Sequence, residues 1–415
     1  MKSTFKRLIC VLLGVTILAG LLPVGTGEAL AKQSTFRKNG IVYAILGTSG
    51  DGWGEVSVIG VDEEADKGLV YDFTLPSMIY HKKVAYNVKK IESLAFSCRS
   101  GIHRIIIEDG IEEIGAGAFY KCVDLEEIFI TAKISKIGSH CFGGCSNLKS
   151  VAVSNMNENY YSDGTVLYSS DKKTLISAPA VSGDYKVAKG VETIGGGAFD
   201  SNMNITSVTL PSSVKKIEEG AFYECKALTA VKLGSVETIG KEAFAGSGLV
   251  SITIPETTVS IEGNPFVFCN SLTGIKVSKN NPKFKSSSGY LLNKSGKKLI
   301  SGSAAGDDPT FPSSVKTVAE FAFAGNERIK KLTVPAGIKT INEGAFCYCT
   351  SLKRIRFESR KTKLPEITED SYGVFFNTGY DLIAEVPYSE NGFTEGSIET
   401  AVSSNSPSGV DITTF

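Results

Sequence analysis

The sequence predicts a β-rich, right-handed solenoid built from coils of about 23 residues. The first observation is a phenylalanine, usually preceded by alanine, that recurs along most of the 415-residue chain. Its positions are Phe96, Phe119, Phe142, Phe199, Phe222, Phe244, Phe266, Phe323 and Phe346, with a degenerate copy near Phe376. The first two spacings are 23 residues, and most later spacings are 22 or 23. Self-similarity at a fixed period of this length is typical of a repeat architecture.

The second observation is a short apolar alternation in every repeat. In the copy that ends at Ile130, Ile128 and Ile130 flank Phe129, and this period of two indicates a strand with one buried face. We therefore expect one short parallel strand per coil, with Ile128 and Ile130 inward and Phe129 outward. The remainder of each coil, Ile-Gly-x-x-Ala-Phe, is short and glycine-rich, which favours turns or a single helical turn.

The repeated motif I-x-x-x-A-F-x-x-C-x-x-L-x-x-I-x-I/L-P runs through residues 88–387. It resembles the BspA-like leucine-rich repeat proteins of bacterial surfaces. The resemblance implies a leucine-rich repeat solenoid and attachment to host proteins, matrix glycoproteins or other bacteria.

Two spacings of 57 residues interrupt the period and indicate inserts near residues 155–187 and 278–311. Each insert is predicted to form a β-hairpin projecting from the solenoid. The paired segments are 165–168 with 174–178, and 290–293 with 298–301. The two spacings lie 124 residues apart, which indicates a duplicated block.

The ends of the chain lack the repeat. Residues 1–31 have a basic start, an apolar run at 8–22 and a small-x-small site at 29–31, which predict a secretory signal peptide. An uncleaved membrane anchor is the alternative. Residues 32–87, with strand-like alternation at 40–45 and 55–60, are predicted to form an N-terminal β cap. Residues 388–415 are predicted to be a C-terminal tail, with loop or disorder at 403–409.

The charge balance argues against one class of protein, and the positions of the cysteines indicate their role. Lys+Arg and Asp+Glu both number 44, and this balance argues against a dedicated nucleic-acid binder. Of nine cysteines, Cys10 lies in the predicted signal peptide. Most others follow a repeat phenylalanine by three residues, where Asn202 and Asn326 occupy the same column. This placement favours buried structural thiols. A bridge between neighbours such as Cys347 and Cys349 remains the alternative.

No catalytic or metal-binding constellation stands out. His140-Cys141 could suggest nucleophilic catalysis, but adjacent residues seldom face each other and Cys141 replaces a core alanine. Cys141 and Cys145 lack a second ligand pair for zinc. Asp51 stands among glycines without the further carboxylates of a calcium loop. The sequence therefore predicts no enzyme, no cofactor and no metal site.

The outward strand residues form the candidate binding face, since solenoids commonly bind partners along such surfaces. The first coils present apolar side chains, Ile106 and Phe129, and the last coils present Lys331, Arg354 and Arg356. We expect an apolar anchor at one end and contact with an anionic partner at the other. An ordinary solvated sheet face is the alternative.

These observations predict an exported cell-surface or secreted bacterial protein that binds extracellular proteins or glycans in adhesion. They predict neither a nucleic-acid partner nor an integral membrane span after signal cleavage. The alternatives are a secreted carbohydrate-active enzyme with an unrecognised acidic site, and a passive structural surface protein.

Overall fold

The computed structural model describes residues 33–49, 51–61, 71–367, 372–378, 381–388, 398–404, 406 and 410–415. The predicted signal peptide lies outside these residues. The described chain divides into two compact units. The first comprises the described residues up to Gly183 with 190–204 and 220–222, and the second comprises 184–189, 205–219 and 223–415. Each unit is a stretch of β-solenoid, as the repeat pattern predicts.

The described residues form short strands and one helix. In chain order these elements are β1 (Thr35–Lys38), β2 (Ile41–Thr48), β3 (Trp53–Val61), β4 (Tyr71–Leu75), β5 (Met78–His81), β6 (Val84–Ile91), β7 (Ile102–Ile107), β8 (Glu113–Ile114), β9 (Glu127–Ile130), β10 (Lys136–Ile137), β11 (Ser150–Val153), β12 (Tyr160–Ser162), β13 (Leu167–Ser169), β14 (Thr174–Ser177), β15 (Gly183–Lys186), β16 (Thr193–Ile194), β17 (Ile205–Thr209), β18 (Lys216–Ile217), β19 (Ala230–Lys232), β20 (Thr238–Ile239), β21 (Ser251–Ile254), β22 (Ser260–Ile261), β23 (Gly274–Val277), β24 (Phe284–Ser287), β25 (Tyr290–Asn293), β26 (Lys298–Ser301), β27 (Thr317–Val318), β28 (Lys331–Val334), β29 (Thr340–Ile341), β30 (Arg354–Phe357), β31 (Ile383–Val386), α1 (Ile398–Ser404) and β32 (Asp411–Thr414).

The predicted strand of each coil belongs to a parallel main ladder. In the first unit this ladder has the order β4-β7-β9-β11, and in the second unit it includes β17-β19, β21-β23 and β28-β30-β31-β32. Ile128 pairs with both Ile105 and Val151, and all three are buried. Phe129 points outward from the same strand. The alternation predicted from the sequence is therefore confirmed.

A second parallel ladder runs through each unit, where the sequence predicted only turns. It consists of two-residue strands in the orders β6-β8-β10, β18-β20-β22 and β26-β27-β29. Ile114 is fully buried and pairs with Ile91, and Lys136-Ile137 pairs with the same strand from the other side. Stacked coils bring extended segments to strand spacing, so two residues suffice to form a ladder step.

The repeat phenylalanines form the core of both units. Ring centroids lie 5.4 Å apart for Phe96 and Phe119, and 5.0 Å apart for Phe323 and Phe346, with the rings stacked. The degenerate copy predicted near Phe376 is formed by Phe375, which stacks 6.0 Å from Phe346 and is fully buried.

The two predicted hairpins are present, and each carries an additional strand. β13 pairs antiparallel with β14, and β25 with β26, while β12 and β24 extend these pairs on the other side. The prediction that they project from the solenoid is wrong. β14 and β26 pair in parallel with β16 and β27, and they bury Leu175 and Leu299 in the core. Each insert thus supplies a step of the second ladder.

The segment predicted as the N-terminal cap joins the solenoid directly. β1, β2 and β3 form an antiparallel meander, and β3 then pairs in parallel with β6. β6 crosses the predicted boundary at residue 87, and β4 pairs with β7. Both ladders therefore begin before the first recognisable motif, because backbone pairing requires extended strands rather than the motif itself.

The described part of the predicted tail is ordered by packing. β32 pairs in parallel with β31, and Ile398 and Val402 of α1 are buried in the core of the second unit. Their spacing of four residues places both on one helix face. Ser403 and Ser404 belong to this helix, so the loop prediction is wrong for them. Asn405 and residues 407–409 lie outside the described residues.

Candidate binding surface

The column of residues three positions after the repeat phenylalanine is structural. Cys122 and Cys145 donate from Sγ to the carbonyls of Phe96 and Phe119, at 3.0 Å each. Asn202, which follows the first insert, donates instead to the Val181 carbonyl at 2.9 Å. Burial raises the pKa of Cys122 to about 12, so this thiol is not a nucleophile near neutral pH.

None of the eight described cysteines forms a disulfide, and Cys98 alone among these eight is exposed. The placement of the remaining seven in the interior agrees with the prediction of structural thiols. Cys10 lies outside the described residues.

His140 is held by a carboxylate that the sequence did not indicate. Its Nδ1 lies in hydrogen-bond contact with Asp200 Oδ2, and both side chains are about 1% exposed. A Cβ at Gly143 would lie 2.8 Å from Asp200, and one at Gly197 would lie 2.5 Å from His140, so these glycines leave room for the pair. The adjacent Cys141 is buried, and this burial raises the pKa of its thiol. The arrangement ties two coils together and does not assemble a nucleophile.

The described residues contain no cluster of three or more His, Cys, Asp or Glu side chains arranged to hold a metal ion. At Asp51, the candidate calcium position, the carboxylate accepts bonds from Ser49 and from the Trp53 N–H. The hydrogen bond from Ser49 lowers the pKa of Asp51. Asp51 therefore closes the loop between β2 and β3. Among the described segments, no helix has both the length and the apolar character that crossing a bilayer requires.

In the first unit, the predicted apolar residues are exposed side by side on the main ladder. Ile106 of β7 is 44% exposed and Phe129 of β9 is 46% exposed. The register pairs Ile105 with Ile128, so the following residues, Ile106 and Phe129, stand on neighbouring strands of the outward face. Together the two side chains form a small apolar patch on this face.

In the second unit, the predicted basic residues also lie together. Lys331 pairs with Arg354 across β28 and β30, and Thr333 pairs with Arg356. The structure adds two partners that sequence reasoning missed. Glu385 of β31 receives bonds from Arg354 Nη1 at 2.6 Å and from Arg356 Nη1 at 3.3 Å.

The second missed partner is Phe415, whose ring lies 3.5 Å below the Arg356 guanidinium carbon. Glu385 partly neutralises the two arginines, and Phe415 restricts access to Arg356. In β31, Ala384 and Val386 are buried and alternate with Ile383 and Glu385. This alternation was the only sequence signal for Glu385, and it was hard to recognise because the last repeat is degenerate.

The basic end opens into a groove of about 680 Å³ at the start of strands β28, β30 and β31. We call this the basic groove. It is lined by Lys330, Lys331, Thr350, Ser351, Lys353, Arg354, Asp381 and Ile383. Of the predicted site residues, the groove includes Lys331 and Arg354 but not Arg356. Lys330 and Lys353 are further basic residues of the same coils.

A profile of the BspA type leucine rich repeat region matches residues 74–176, 192–294 and 296–379, in six copies. Among curated proteins, no match was found.

Solved structures with similar folds include a leucine rich cell surface protein from Faecalibacterium prausnitzii, at 19% identity and a TM-score of 0.43, covering 92% of this chain and 95% of that one. A leucine-rich repeat protein from Bacteroides ovatus is similar at 23% identity and a TM-score of 0.37, covering 92% and 99%. The pneumococcal vaccine antigen PcpA is similar at 18% identity and a TM-score of 0.38, covering 92% and 99%.

The matched repeats extend over more than half of the chain and coincide with the stacked coils, the phenylalanine core and the cysteine column described above. The chain therefore belongs to the BspA-type leucine-rich repeat family.

Proposed function

We propose that this protein is an exported bacterial surface or secreted protein that binds extracellular proteins or glycans through the outward face of its main ladder. The observation that carries the proposal is the exposure of Ile106 and Phe129 on neighbouring strands. Solenoid ladders provide extended surfaces for binding, and exposed apolar side chains on them are suited to act as anchors.

The chemistry of the described residues supports binding rather than catalysis. His140 and Asp200 are buried where two coils meet, and burial raises the pKa of Cys141. The apolar and basic positions of the ladder are accessible to a large partner. The predicted signal peptide at residues 1–31 supports export, and the family resemblance supports a role in attachment.

Binding through the apolar positions is tested on an array of glycans and matrix proteins with the chain lacking residues 1–31. We expect the Ile106→Ala/Phe129→Ala variant to lose about tenfold in affinity for ligands that the wild type binds, because it removes both anchors. Val123→Ala is the matched control, since Val123 is 40% exposed but lies outside the ladder strands. Its affinity should equal that of the wild type.

Three results contradict the proposal. The first is an array that shows no ligand for the wild type. The second is a double variant that binds as tightly as the wild type. The third is turnover of a glycan in a parallel hydrolase panel. The first result favours a passive structural protein, and the third favours a carbohydrate-active enzyme.

A further inference from the structure

We propose that the basic groove is a subsite for the sulfate groups of a sulfated glycan. This inference rests on the proposed function, because it assigns a ligand class to one end of the same binding face. The proposed subsite lies at the first residues of β28, β30 and β31, whereas the basic site predicted from the sequence also included Arg356, further along β30.

The charge of the groove selects an anion. Its lining carries Lys330, Lys331, Lys353 and Arg354, against one carboxylate, Asp381. All four cationic residues are exposed. A concave surface lined mainly by one sign of charge raises the local concentration of oppositely charged ligands. Outside the lining, Glu385 accepts from Arg354 Nη1 at 2.6 Å, and the Asp307 carboxylate lies 4.0 Å from Lys330 Nζ.

The lysines are the principal charges of the groove. Arginine recognises carboxylates and phosphates with two parallel N–H donors, whereas lysine acts as a compact point charge that requires no fixed geometry. The Arg354 Nη1 already donates to Glu385 at 2.6 Å, so its paired donors are partly occupied. Three lysine ammonium groups remain as the principal charges, and these suit the distributed oxygens of sulfate esters.

The uncharged lining suits the sugar that carries the sulfates. Thr350 and Ser351 bring hydroxyls to the groove, and Ile383 contributes a partly buried apolar surface. Hydroxyls can exchange hydrogen bonds with sugar hydroxyls, and aliphatic groups can contact the C–H faces of sugar rings. A volume of about 680 Å³ lies within the usual range for small-molecule sites. The lining thus combines the three kinds of contact that a short sulfated oligosaccharide needs.

The test measures binding of a heparin octasaccharide to the chain lacking residues 1–31, by calorimetry at several NaCl concentrations. We expect binding that weakens as salt rises, since the contacts are exposed charges. The Lys331→Glu/Lys353→Glu variant should lose at least about tenfold in affinity, because two attractive charges become repulsive. Circular dichroism verifies that each variant keeps the fold.

The matched control is Lys279→Glu/Lys339→Glu. Lys279 and Lys339 are exposed in the same unit, lie outside the ladder strands and do not line the groove. The control makes the same change in net charge, so it should keep the wild-type affinity. An equal loss in both variants would show that net charge, rather than the groove, attracts the ligand, and this would overturn the inference.

Three further probes decide the ligand class. Desulfated heparin octasaccharide and poly-L-glutamate should bind at least about tenfold more weakly than the sulfated sugar. Inorganic sulfate, supplied at the sulfate concentration of the oligosaccharide, should not displace it. Equal binding of the desulfated sugar or the acidic peptide, or displacement by inorganic sulfate, overturns the assignment to a sulfated glycan.

This experiment can fail independently of the proposed function. If heparin does not bind while the array still reports a ligand that depends on Ile106 and Phe129, only the groove assignment is wrong. If heparin binding depends on Lys331 and Lys353 while the apolar variant changes nothing, the groove assignment stands and the apolar anchor is wrong.

Discussion

The same residue type has two opposite roles within one coil. Phe119 is fully buried between Phe96 and Phe142, with ring centroids 5.4 and 5.8 Å away. Phe129, ten positions later, points outward from β9 and is 46% exposed. Composition cannot separate these roles, but position within the repeat does. One phenylalanine contributes to stability, and the other is available for binding.

Replacing Phe119 by alanine should lower the free energy of unfolding by roughly 3–5 kcal/mol, because it removes a buried ring and leaves a cavity between two others. Phe129→Ala is the matched control and should cost less than about 1 kcal/mol, since this ring is already half exposed. Urea unfolding followed by circular dichroism measures both values. Equal losses for the two variants would contradict the assignment of buried and outward columns.

The His140–Asp200 contact marks the limit of sequence reasoning at the level of single residues. The two residues are 60 positions apart, and the first insert lies between them in sequence. The sequence suggested only the adjacent residue, Cys141, as a possible partner of His140. In the structure, the backbone N–H of His140 donates to the Gly196 carbonyl at 3.2 Å, which joins the coils on the two sides of the insert. This contact brings Asp200 next to His140. A strict period predicts contacts between neighbouring coils, but an insert changes which coils are neighbours.

At the scale of elements, the sequence correctly predicted that each insert forms a hairpin, but not where the hairpin packs. Polar turns at Asp171 and Gly296 correctly predicted two hairpins. The sequence did not show that β14 and β26 would also enter the second ladder, because that ladder was itself unrecognised. Two-residue strands carry too little periodicity to be detected, and their pairing is a consequence of coil stacking.

Replacing Leu299 in β26 by alanine should therefore cost roughly 2–5 kcal/mol of unfolding free energy, because the side chain is fully buried. Lys298→Ala, one position earlier on the same strand, is exposed and should change stability by less than about 0.5 kcal/mol. Thermal and urea unfolding measure both variants. A silent Leu299→Ala would indicate a hairpin that is independent of the core, as the sequence alone had predicted.

For the whole molecule, the sequence predicted most of the fold because one physical requirement repeats. Each coil buries Phe, Leu and a pair of aliphatic residues. A departure from the motif in one repeat therefore does not hide the pattern that the other repeats share. The binding face was harder to predict. The outward column correctly identified Ile106, Phe129 and Lys331 as exposed, but Glu385 and Phe415 lie in the region where the motif fades. Their effect on the basic end required coordinates.

The end of the second unit requires a cover, because its outer coil would otherwise present core side chains to water. α1 provides this cover, with Val402 fully buried, and β32 pairs along β31 as the outermost described strand of that sheet. We expect Val402→Asp to destabilise the protein by several kcal/mol, since it places a carboxylate without a partner in the core. The core side chains that α1 covers should then be exposed and promote self-association.

Ser403→Asp is the matched control for this prediction, because it introduces the same side chain at the next position of α1, which is exposed. Calorimetric melting temperature and sedimentation velocity distinguish the two variants. Val402→Asp should melt at lower temperature and sediment partly as larger species, whereas Ser403→Asp should match the wild type. If both variants behave like the wild type, the packing of α1 against the core does not contribute to stability, and this prediction is wrong.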